Sequence, residues 1–173
     1  GGKGLMWFQM NQDEAAYKPA RWAAIAEVGK TFVSLRKYLR TGDITGMIKG
    51  SSESILEMIR SEDALIVPVI GLKTSKAPTD VSCGAALVSE SMVPHWVLAE
   101  QTVSFEITVP DDFGVYDIFE ISQGKISSSK VNYSTNGRKI SVENVSINNT
   151  IPVRIFVFAK DKNVRQQMSN VLR

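Results

Sequence analysis

The chain has 173 residues, a formal net charge of +2, 43% hydrophobic residues and 22% charged ones. That balance supports a packed core of one domain, or one domain with part of another. With no dense Lys/Arg stripe it excludes nucleic acid as the main partner, and no apolar run reaches the roughly 20 residues of a membrane span.

The opening GGKGLMWFQ has no basic stretch followed by an apolar run, so it does not read as a signal peptide. With no Met start, the chain is expected to be a fragment. Lys3–Gln9 reads as a short strand, apolar without alternation at Leu5, Met6, Trp7 and Phe8, as in a strand buried on both faces. A polar connection follows, and Pro19 suits the first turn of a helix. The helix is predicted over Ala20–Arg40. Ile25, Val28, Phe32, Leu35 and Leu39 keep the spacing of one apolar stripe, which Trp22 extends by a turn. Arg36, Lys37 and Arg40 complement the dipole at its end, and Gly42 fits a left-handed stop.

The pattern changes between Gly42 and Ser52, which sets a domain boundary: a β/α unit over residues 1–46 and a second domain over 47–173. Strands are predicted at Ser54–Arg60, Ala64–Leu72, Gly84–Val88, Trp96–Val109, Val115–Ser122, Lys130–Tyr133, Lys139–Glu143 and Ile151–Ala159. The clearest stretch is QTVSFEITV, where Val103, Phe105, Ile107 and Val109 alternate with polar residues. Such half-buried strands belong to antiparallel sheets. Asn136–Gly137 is the strongest hairpin signal. Ile151–Ala159 is apolar on both faces and reads as central. Asp161 can cap a last helix with Val164, Met168, Val171 and Leu172 on one face. The predicted class is mainly β: an antiparallel β-sandwich of about eight strands behind a β/α unit with one long amphipathic helix.

The residues at GGKGLMWFQ and RWAAIAEVGKTFVSLRKYLRTGD resemble the end of a (β/α)8-barrel glycoside hydrolase. In many such enzymes a strand of this form closes the barrel, and a helix of this form leads into a C-terminal β-sandwich. The matching parts are Gly2–Gln9, Trp22–Leu39 and the β-rich remainder. The resemblance implies a C-terminal fragment of a carbohydrate-active enzyme, its sandwich a structural accessory domain, its parent secreted or periplasmic. It implies that Trp7 forms the floor of a sugar subsite, since a flat ring matches the C–H face of a pyranose, with Gln9 within reach of hydroxyls. Active sites in such barrels lie at the C-terminal ends of the strands.

Glycoside hydrolysis needs two carboxylates flanking the bond. The resemblance places them on earlier strands, so this chain alone is expected to be inactive. Asp111 and Asp112 read as turn residues. The alternative is a free-standing carbohydrate-binding or cell-surface interaction module, for which His95, Trp96, Tyr116 and Tyr133 are candidates. With one histidine and one cysteine, Cys83 in an apolar run, neither a zinc site nor a disulfide is expected, and no cofactor. The stripe on the long helix and the strand Lys3–Gln9 are expected to join two copies as a homodimer.

Overall fold

A computed structural model of the chain describes residues 19–73, 98–129, 132–148 and 150–172, and side chains within the first helix from residue 26 onward. The predicted strands Lys3–Gln9 and Gly84–Val88 lie outside those residues, and the side chains of Trp22 and Ile25 outside the described side chains. Two helices and eleven strands are described. Helix α1 (Pro19–Thr41) runs one residue past the predicted limits at each end, with Pro19 at its first position.

The strands are β1 (Asp43–Thr45), β2 (Ile48–Gly50), β3 (Ser54–Leu56), β4 (Met58–Arg60), β5 (Ala64–Gly71) and β6 (Gln101–Thr108). They continue with β7 (Asp117–Ser122), β8 (Lys125–Ser128), β9 (Asn132–Asn136), β10 (Lys139–Ile147) and β11 (Val153–Ala159), and the chain closes on α2 (Lys162–Leu172). All pairings are antiparallel. The large sheet runs β1-β4-β5-β11-β7-β8, with β3 also on β5; the small sheet runs β2-β6-β10-β9. This is the predicted sandwich.

Alternation explains the layers. On β6, Val103, Phe105 and Ile107, with Val109 just after it, are all buried while Thr102 and Ser104 face water. They meet Phe156 and Phe158 of β11, with the Phe105 and Phe156 rings edge-on at 5.5 Å. The opposite face of β11 carries Ile155, Val157 and Ala159, which pack with Leu35 and Tyr38 of α1 and Val164 and Met168 of α2. β11 is therefore central and covered on both sides, as its sequence predicts. The order is helices, large sheet, small sheet. Each large apolar side chain buried in it contributes about 1.5–3 kcal/mol before entropy is counted.

Four expectations are corrected. The predicted strand Ser54–Arg60 is two strands, and the break at Glu57 falls opposite Pro68 in the register of β5; Pro68 has no N–H for the ladder. Gly42 does not take the left-handed conformation, since Gly124 and Gly137 are the glycines with positive φ among the described residues. A Cβ on Gly42 would stand 2.5 Å from Tyr38 O and 2.6 Å from Ile59 Cγ2, so glycine there lets the chain turn close against β4. The β9–β10 turn is Gly137–Arg138, one residue later than predicted, with Gly137 at φ 59° in the first central position. On α2, Val171 is 40% exposed and does not share the buried face of Val164 and Met168. The Asp161 cap does form, accepting from the Asn163 N–H at 2.6 Å.

Candidate functional site

Trp7, Gln9, His95 and Trp96, the site residues read from the sequence, lie outside the described residues, and so does Cys83. Tyr116 and Tyr133 are described. Tyr116 is 69% exposed on the run leading into β7 of the large sheet; Tyr133 is 51% exposed on β9, an edge of the small sheet. The structure does not bring them onto one element. Each is an exposed ring, which meets the first requirement of a sugar contact.

A concavity of about 270 Å³ lies between the segment from Val109 to Val115 and the β9–β10 turn. Its walls include Val109, Pro110, Phe113, Thr135, Asp111 and Arg138. The sequence folds there for local reasons. Asp111 and Asp112 form the predicted turn, and the Phe113 N–H donates to Pro110 O at 3.1 Å. Val109 N–H donates to Arg138 O at 2.7 Å, and Arg138 Nε donates back to Val109 O at 2.9 Å. Arg138 also pairs with Asp111. A second ion pair, Arg60 to Asp112 at 2.6 Å, ties the same turn to β4. Phe113 is turned inward, 6% exposed, with the Lys160 ammonium 5.8 Å from its ring centre. The cleft thus has an apolar floor and a charge-balanced polar rim.

A larger hollow of about 480 Å³ lies along one helix, lined by Arg36, Lys37, Arg40 and Thr41. Lys37 donates to Asp63 at 2.8 Å. That hydrogen bond raises the ammonium pKa above the usual lysine value, against a smaller desolvation effect. Next to it Tyr38 is buried, and burial raises its phenol pKa, with the Lys37 charge pulling it back. The hollow is open and bounded by a single helix turn, so it is a charged surface and not an enclosed site.

The remaining buried polar groups serve the fold. Arg154 pairs with Glu120 between the sheets, both nearly buried, and its Nη1 reaches Ser146 O at 3.5 Å. Gln101 is 8% exposed, and its amide has no hydrogen-bond partner among the described residues. No cluster of three or more His, Cys, Asp or Glu that could hold a metal ion occurs among the described residues. Asp111 and Asp112 are each committed to a different arginine. The arrangement is a small cleft with polar groups at its edge. Sequence reading did not bring Phe113, Thr135 and Arg138 together there. Their two turns were visible as turns, but no local signal says that they face each other.

No family model matches the chain, and no curated protein matches it in sequence. Solved structures do align with it in part. Alpha-L-fucosidase isoenzyme 2 from Paenibacillus thiaminolyticus aligns with a TM-score of 0.42 and 11% identity over 67% of this chain and 16% of that one. A cycloisomaltooligosaccharide glucanotransferase from Paenibacillus sp., complexed with cycloisomaltoheptaose, aligns with a TM-score of 0.46 and 10% identity over 76% of this chain and 20% of that one. The chain spans at most a fifth of the length of either. No helix among the described residues is long and apolar enough to cross a membrane.

Proposed function

We propose that the chain is the C-terminal accessory region of a carbohydrate-active enzyme of the glycoside hydrolase type. Residues 1–46 are then the end of a barrel's last β/α unit, with β1 already paired to β4, and residues 47–173 a sandwich that braces it. The sequence motifs at Gly2–Gln9 and Trp22–Leu39 support this order of parts. The observation that carries it is the uneven burial of α1. Leu35 and Tyr38 are seated on the large sheet, while Val28 and Phe32, on the same stripe, are 41% and 43% exposed. A helix whose packing was complete within these layers would bury the whole stripe. A helix joining two domains would be anchored on one by its C-terminal half and offer its N-terminal half to the other.

In this reading Trp7 is the aromatic floor of a sugar subsite and Gln9 a hydroxyl contact. The catalytic carboxylates belong to earlier barrel strands, so the isolated chain does not hydrolyse glycosides. Freed from a barrel, the bare part of α1 and the strand Lys3–Gln9 would join two copies into a dimer. The test is the parent reading frame. The proposal requires roughly 250 residues of alternating strands and helices upstream of Gly1. A frame that begins near Gly1 would sink it and leave a free-standing carbohydrate-binding module, the reading favoured by the cleft beside Phe113.

A further inference from the structure

We propose that the cleft between the Pro110 turn and the β9–β10 turn is a binding site for a single neutral sugar ring. Its role goes beyond bracing a barrel; the choice of a sugar among small neutral ligands rests on the function proposed above.

Size comes first. Pockets for drug-sized ligands run from about 300 to 1,000 Å³. A cleft of about 270 Å³ falls just below that range and suits one ring, not an oligosaccharide chain. Chemistry comes second. A pyranose has an apolar C–H face and a belt of hydroxyls. It needs an apolar surface beneath it and directional polar groups at the edge. The edges of Phe113 and Val109, 6% and 7% exposed, and the partly exposed Val115 supply a small apolar surface. Arg138, Asp111 and Thr135 supply the edge.

The edge groups are held and still have capacity. Arg138 uses Nε on Val109 O and Nη1 on Asp111. A guanidinium has five N–H donors, so others remain for hydroxyl oxygens. Asp111 is 83% exposed at its side chain and keeps acceptor lone pairs for hydroxyl donors. Thr135 adds a hydroxyl that donates and accepts. The backbone bond from Val109 N–H to Arg138 O fixes the two walls relative to each other. A pre-set site loses less entropy on binding. Because Arg138 and Asp111 neutralise each other, the rim favours an uncharged polyol over an acid or an amine. Tyr133 lies two residues before Thr135 on β9, so the two share a face of that strand.

The test is an NMR titration of the ¹⁵N-labelled full chain with glucose, galactose, mannose and fucose, and with glycerol as the control polyol. Expected are shifts confined to residues 109–116 and 133–140 for at least one sugar, with a Kd of about 1–10 mM. Thr135→Val, which keeps shape and strand propensity, should weaken binding at least about fivefold, as expected when a hydroxyl partner is lost. Lys125→Ala, on β8 at the far edge of the large sheet, should leave it unchanged. No shifts with any sugar, shifts as large with glycerol, or unchanged binding by Thr135→Val would each overturn the proposal. These outcomes are separate from the parent reading frame. Sugar binding without an upstream barrel refutes only the accessory role, and an upstream barrel without sugar binding refutes only the cleft.

Discussion

The two halves of α1 carry the same apolar spacing and meet different surroundings. In the C-terminal half, Leu35 and Tyr38 are 4% and 2% exposed and Leu39 packs beside them. In the N-terminal half, Val28 and Phe32 are more than ten times as exposed. Periodicity fixes which residues share a face. It does not fix whether anything stands opposite that face, because the opposing surface comes from elsewhere in the chain or from another molecule.

Mutations can break this contrast. The largest effect is expected beneath the anchored half, at Phe119, which is fully buried under the Arg165 guanidinium at 4.9 Å. Phe119→Ala should cost about 3–5 kcal/mol in urea unfolding. Leu35→Ala, in the anchored half itself, should cost about 2–4 kcal/mol. Phe32→Ala, one turn earlier on the same stripe, should cost under about 1 kcal/mol in the isolated chain, as for an exposed site. A loss at Phe32 equal to that at Leu35 would mean that the N-terminal half is already covered, and the contrast would be gone. Light scattering sharpens the point. If two copies meet on the bare stripe, Phe32→Asp should convert the dimer to monomer, and an unchanged mass would exclude that surface.

The smallest effects are electrostatic. Lys37 and Tyr38 both have pKa values above their ordinary 10.5 and 10.0. Stability from such groups is fully present below about pH 10 and is lost as the pH rises through the raised values. Tyr38→Phe should remove the phenol's part of that alkaline loss. It should also cost about 1 kcal/mol at neutral pH through the lost bond from Tyr38 Oη to Gln167 Oε1 at 3.2 Å. The Lys37–Asp63 pair is largely exposed, so Lys37→Met should change stability by less than about 1 kcal/mol. Thermal melts between about pH 7 and 11 check both.

The parts of the fold legible in the sequence were those with a long repeating pattern. β6 and β11 show eight and seven residues of one strand each, and α1 spans 23 residues. β1 and β2 have three residues each and β8 has four, too few for a period to emerge from noise. The β7–β8 turn was legible at Gly124 alone. Gln123 and Gly124 both have positive φ, the geometry of a type I′ turn, but Gln is not a residue that announces it. Gly42 was read by its place after a helix, whereas its real constraint is the approach of Ile59, seventeen positions later. The cleft was least legible of all. Pro110 and Gly137 each mark a turn, but their juxtaposition depends on β6 pairing with β10 over a separation of more than thirty residues.

One hydrogen bond has a use beyond architecture. Ala99 N–H donates to Lys73 O at 2.9 Å, so the chain leaves the end of β5 and returns to the start of β6 at the same place. A proline at position 99 has no N–H to give. Ala99→Pro would therefore release the two chain ends from each other and leave the ladder between β6 and β10 intact.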